Sequence, residues 1–114
     1  MDERIEKWLY DIKMSIEEID SFFLDTPKSF LSYRKNLLLK RAIERNLLII
    51  GEATKRILAK EPDFQLPNAR KIVNLRNFIA HAYDSVSDEN IWAIIVNNLP
   101  ELKKDIDNLI QESE

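Results

Sequence analysis

The sequence predicts an all-α protein, an antiparallel bundle of four to five helices. Three observations carry that expectation. The 114 residues contain one glycine and four prolines, too few breakers for a strand-and-turn fold. Apolar residues recur at steps of three and four, the spacing of a helix face. No stretch alternates with the period of two that marks a half-buried strand. A single domain over residues 1–114 is expected from the length.

In the first segment Ile5, Trp8, Leu9, Ile12, Ile16, Ile19 and Phe23 form one apolar stripe. Glu6, Lys7, Asp11, Lys13, Glu17 and Glu18 occupy the positions between, so the helix has one solvated face. Asp25-Thr26-Pro27 supplies a break and a restart, with Thr26 suited to capping and Pro27 to the first helical position. The second helix is expected to run from about Pro27 to Lys60. Its apolar residues, among them Leu37, Leu38, Leu39, Ile43, Leu47, Leu48, Ile49, Ile50 and Ile57, cover more than one face. Such a helix is either central to the core or carries a second contact surface, such as a dimer interface. Gly51 stands inside it at a cost of about 1 kcal/mol relative to alanine. Close backbone approach by a neighbouring helix accounts for a glycine there, and a bend is the alternative.

Pro62 and Pro67 bracket a short linker, and a third helix follows with Ala69, Ile72, Val73, Leu75 and Ile79 as its apolar positions. Asp84-Ser85-Val86-Ser87 reads as a loop, with Ser87 as N-cap and Asp88 and Glu89 in the first turn of the fourth helix. That helix carries Ile91, Trp92, Ile95, Val96, Leu99, Leu102, Ile106, Leu109 and Ile110, and Pro100 is expected to kink or split it.

Composition narrows the function. Net charge is −3 and the pI is near 5.3, which argues against indiscriminate coating of nucleic acid but leaves room for a local basic cleft. The absence of cysteine excludes disulfides and thiolate metal sites. No apolar run approaches the roughly 20 residues of a membrane span, and the N-terminus lacks the apolar core of a signal peptide, so the cytoplasm is the expected compartment. No Gly-rich phosphate loop and no His/Cys metal spacing is present, and no cofactor or metal is expected.

The chemistry concentrates in Arg76-Asn77-Phe78-Ile79-Ala80-His81-Ala82-Tyr83. His81 is the only histidine, the side chain that titrates nearest neutral pH. Arg76 is a permanent forked cation suited to phosphate. Together they suggest work on a phosphodiester. On an ideal helix residues 76 and 81 stand about 140° apart, so the two do not share a face, whereas Asn77 and His81 do. Either the helix loosens near His81, or the arginine reaches around, or a second subunit completes the site. In-line cleavage of RNA wants a general base and a general acid, and one chain offers one histidine. A two-fold homodimer would bring two histidines and two arginines to one cleft. The plainer readings are a helix-end histidine bonded to a carbonyl, a half-buried tyrosine at 83, and solvated ion pairs for Arg41, Glu44, Arg45 and Glu52. Arg41, Glu44 and Glu52 lie among apolar residues and are candidates for supporting the site.

Arg76-x4-His81-x-Tyr83, with the polar Asn77 directly after the arginine, resembles the HEPN superfamily and within it the HepT-like toxins. The segments Arg41-Ala42-Ile43-Glu44, Ile50-Gly51-Glu52-Ala53, Ile91-Trp92-Ala93-Ile94-Ile95 and Leu99-Pro100-Glu101-Leu102 are similar to the same family, so the resemblance spans roughly residues 4–110. It implies a helical, metal-independent ribonuclease acting on RNA as a homodimer. It implies a type VII-like toxin–antitoxin pair in which a minimal nucleotidyltransferase antitoxin transfers AMP to the motif tyrosine. Carried over, His81 is the acid/base, Arg76 binds the phosphate, Asn77 supports them and Tyr83 is the AMP acceptor. The alternative is a non-catalytic helical binding subunit that partners a nucleotidyltransferase.

Overall fold

The computed structural model describes residues 1–81 and 87–113, with backbone only for 78–81. Asp2 opens the first helix, α1 (Glu3–Ser21), by accepting hydrogen bonds from the backbone N–H of Arg4 at 2.7 Å and Ile5 at 3.3 Å. Desolvation works against the Asp2 carboxylate, but these two donors and Lys60 outweigh it and hold the group below its ordinary value. The expected stripe forms, with Ile5, Leu9, Ile12, Ile16 and Ile19 buried and Trp8 and Phe23 half-buried against them.

The expected helix from Pro27 to Lys60 is two helices, α2 (Phe30–Lys35) and α3 (Leu37–Lys60). Asn36 separates them in an extended conformation (φ −106°, ψ 97°), and its Oδ1 accepts the N–H of Leu39 at 3.0 Å. A short amide side chain that caps the helix ahead of it competes with continuing the helix behind it. Pro27 is not the first helical residue either. Ser29 takes the N-cap, accepting from Ser32 N at 3.2 Å.

α3 runs antiparallel to α1, joined at one end by Lys60 and Asp2 and further along by Asn46 Nδ2 donating to Glu18 Oε1 at 3.2 Å. Its inner side buries Leu39, Ile43, Leu47, Ile50, Ala53 and Ile57, so most of its apolar surface belongs to the core. Leu37, Leu38 and Ile49 remain exposed. α4 (Pro67–His81) begins on its proline, where the missing N–H costs nothing. Ala69, Ile72 and Leu75 face inward. The backbone stays α-helical through His81, so the helix does not loosen before that residue.

Ser87 caps α5 (Asp88–Ala93) by accepting from Asn90 N at 3.1 Å, with Asp88 and Glu89 in the first turn as expected. A π-turn over Ile94–Asn98 then leads into α6 (Leu99–Ser113). Within it the Leu99 N–H reaches back to Ile94 O, five residues away. Pro100 has no N–H to offer one turn back, and the widened turn just before it absorbs the mismatch without a loop. α1, α3, α4 and α6 close a ring around the core, with α2 and α5 at one end. At that end Trp92 receives Phe23 edge-on at 6.0 Å and Tyr33 at 5.6 Å between ring centroids. Lys13 and Asp107 tie α1 to α6 at 2.9 Å, and the bond from Asp107 raises the Lys13 pKa. Among the described residues no helix is long and apolar enough to cross a membrane.

Candidate active site

Gly51 is where the site begins. A Cβ built there would stand 2.7 Å from Arg76 Cβ, 2.9 Å from Arg76 Cγ and 3.6 Å from the carbonyl oxygen of Ile72. No side chain fits that gap, so glycine lets α4 lie directly on α3 and lays the stem of Arg76 against the α3 backbone. The helix-on-helix approach inferred for Gly51 is therefore present, and its occupant is the motif arginine.

The next residue along α3, Glu52, forms an ion pair with Arg76 Nη2. On the other side Nη1 donates to Asn77 Oδ1 at 3.0 Å. Arg76 is 19% exposed and Glu52 40%. Arg76 Nε is buried and makes no hydrogen bond among the described residues. Arg76 is thus fixed at its stem by Gly51 and at its guanidinium by Glu52 and Asn77. A half-exposed ion pair contributes little to stability, but it does choose an orientation. A planar fork with N–H groups still to satisfy is a receptor for phosphate oxygens.

Glu52 also faces outward, onto a depression of about 250 Å³ lined by Asp11, Arg45, Leu48, Ile49, Ala53 and Arg56. Of the three supporting candidates on this helix, Glu52 meets Arg76 and the other two do not. Arg41 Nη1 donates to both oxygens of Glu44 at 3.0 Å, a local pair on an exposed surface. It lies eight to eleven residues, or roughly 12–16 Å, up the helix from Glu52. Arg41 and Glu44 border a different group, formed by Asp88, Lys40 and the buried Tyr33. Lys40 holds Asp88 at 3.0 Å and so fixes the start of α5 on α3. Among the described residues the Tyr33 hydroxyl has no partner, and burial, then the carboxylates of Asp88 and Glu44, push its pKa far above the usual phenol value. Sequence reasoning passed over Tyr33, because nothing local marks an aromatic of a one-and-a-half-turn helix as buried.

The side chain of His81 and the whole of Tyr83 lie outside the described residues. Among the described residues no group of three or more His, Cys, Asp or Glu side chains is placed to hold a metal ion.

Fold and site together define a small helical protein built around an oriented arginine on an Arg-x4-His helix. The chain belongs to the HepT-like ribonuclease family, whose model, described as Ribonuclease HepT-like, matches residues 12–109. It is similar to Putative RNase MJ1380 of Methanocaldococcus jannaschii, 30% identical over 107 residues that cover 90% of this chain and 94% of that one. Putative RNase MJ0127 of the same organism is 31% identical over 114 residues, covering 96% and 90%. Putative RNase TTE0752 of Caldanaerobacter subterraneus is 34% identical over 86 residues, covering 74% and 76%. No solved structure matches the chain.

Proposed function

We propose that this chain is a metal-independent endoribonuclease toxin of a type VII-like toxin–antitoxin pair. It works as a homodimer and is silenced by AMP transfer to Tyr83 from a minimal nucleotidyltransferase antitoxin. The observation that carries the reading is the seating of Arg76 on Gly51 between Glu52 and Asn77, five residues before His81 on one helix. Family membership and the RNase names of the relatives support the same activity.

In this reaction the 2′-oxygen bonds to phosphorus and the bond from phosphorus to the 5′-oxygen breaks. A base takes the 2′-hydroxyl proton and an acid returns one to the leaving oxygen, giving a 2′,3′-cyclic phosphate and a 5′-hydroxyl. His81 of one protomer serves as base and that of the other as acid, and Arg76 stabilises the charge that builds on the phosphoryl oxygens. AMP on Tyr83 would set a bulky anion two residues from His81, where its phosphate competes for Arg76.

The test is cleavage of defined RNA in EDTA by protein whose intact mass shows no AMP, beside His81→Ala. Cleavage by the unmodified protein that vanishes in the variant is the expected result. Equal cleavage by both sinks the mechanism. No cleavage by either, across transfer and messenger RNA, moves the assignment to a binding subunit of a nucleotidyltransferase.

A further inference from the structure

The outward face of α3 holds charges that its own chain leaves over. Arg45, Leu48, Ile49, Glu52 and Arg56 recur at steps of three and four and line one depression. Arg45 and Glu52, seven residues apart, stand within about 20° of each other around the helix. Arg45 and Arg56 are exposed, and among the described residues neither makes an ion pair. Between the charges sit half-buried Leu48 and exposed Ile49, the latter 38% exposed in mid-helix. Met14 of α1, one turn beyond Asp11 at the rim, is 67% exposed.

We propose that this face is a two-fold interface with a second copy of the chain, in which Arg45 of each protomer pairs with Glu52 of the partner subunit. The inference rests on the proposed dimeric ribonuclease and adds which surface dimerises and how it reaches the site. A two-fold contact must be self-complementary, each patch meeting its own copy. Antiparallel packing of α3 on its copy, with the axis between Leu48 and Ile49, meets that demand. Position 45 then faces position 52 twice, and the two apolar residues meet at the centre. The facing charges lie about 5 Å from the axis along the helix, within one turn of the crossing, so they stay in reach at either common crossing angle. The exposed leucines at the α2–α3 junction, Leu37 and Leu38, have Arg34 and Lys35 beside them, both exposed and, among the described residues, in no ion pair, so that region would repel its own copy.

The interface also reaches the catalytic arginine. Glu52 already holds Arg76. A second cation on the same carboxylate would fix its rotamer and weaken its hold on Arg76, leaving the guanidinium oriented but more open to phosphate. Each site is then completed by Arg45 of the partner subunit.

A charge swap read by analytical ultracentrifugation tests this independently of RNA cleavage. Wild type is expected to be a dimer. Arg45→Glu alone sets like charges opposite each other at two symmetric places and should raise the dimer dissociation constant about a hundredfold, roughly tenfold for each pair. Glu52→Arg alone should do the same. Combining Arg45→Glu with Glu52→Arg should restore the dimer, because the pattern becomes self-complementary again. Circular dichroism confirms that each variant is folded. The chain lacks cysteine, so Ile49→Cys supplies a second readout, a disulfide-linked dimer on mild oxidation. Monomeric wild type overturns the proposal, as does a dimer indifferent to Arg45→Glu, a double swap that stays monomeric, or a dimer broken by Leu38→Glu alone. Failure here leaves the ribonuclease standing if the EDTA assay succeeds, and failure of that assay leaves the interface standing if the swap rescues.

Discussion

Two regions of this bundle bring helices together in opposite ways. At the α3–α4 crossing a glycine removes a side chain, and the space goes to the stem of a charged residue whose head is held by Glu52 and Asn77. At the α2–α5 end the space is filled by rings, Phe23, Phe30 and Tyr33 gathered on Trp92. The aromatic end buries area and so contributes to stability. The crossing gives up packing and holds a cation between Glu52 and Asn77. The contrast teaches that the helices are held by one set of contacts and the site by another, so each can be damaged separately.

The largest expected effect is on activity. Arg76→Ala should lower RNA cleavage by about 10²–10³-fold, the scale for removing one charge-stabilising donor. Its melting temperature should fall only modestly, because the Glu52 side chain left behind is 40% exposed and can turn to water. Single-turnover cleavage and a thermal melt on the same preparation check both halves. Trp92→Ala inverts the pattern. Truncating a large aromatic costs about 3 kcal/mol or somewhat less where the ring is only half-buried. Urea unfolding should show that loss, while cleavage survives at temperatures where the variant remains folded.

Gly51→Ala joins the two regions' behaviours. Overpacking costs about 1–3 kcal/mol, partly offset by about 1 kcal/mol of helix propensity. The atoms in the way are Arg76 Cβ and Cγ, close to the α4 backbone, so the helices must part and carry the guanidinium away from Glu52. Cleavage should therefore fall further than the modest stability loss explains, and paired urea and kinetic measurements would expose any variant that loses stability only.

The smallest effect has the opposite sign. Tyr33→Phe removes a buried hydroxyl with no partner among the described residues and should stabilise the protein by about 1 kcal/mol. Burial raises the Tyr33 pKa in the folded state, so folding keeps the phenol protonated. That contribution is complete below the unfolded phenol value of about 10 and is lost as pH rises above it. Melting temperatures between pH 8 and 11 should therefore fall less steeply in Tyr33→Phe than in wild type. Parallel curves would show that the phenol ionises in the folded protein as it does in the unfolded chain, and so is not held protonated by burial.

Most of the helices were legible because helix periodicity is local. The stripe of α1, the Ser87 cap and the start of α4 after the linker all follow from neighbours within one or two turns. Asn36 was not legible, since one polar residue in a leucine-rich stretch reads equally well as a solvated helix position. Its cap on Leu39 appears only once α2 and α3 take different directions against the core. The site divides in the same way. Arg76 and Asn77 are sequence neighbours and announce themselves, whereas Glu52 is separated from Arg76 by the α3–α4 turn and stood level with Arg41 and Glu44 as a candidate.

By itself, then, the sequence determined the all-helical class, the α1 stripe and the motif helix that carries Arg76 and His81. Those depend on residues spaced by three or four, which meet in any helix whatever its surroundings. Only the tertiary structure decided that Gly51 seats Arg76, that Glu52 rather than Glu44 holds it, and that Tyr33 is buried. These are matters of which helix lies against which and at what register. That is set by packing the whole core, and no local pattern encodes it.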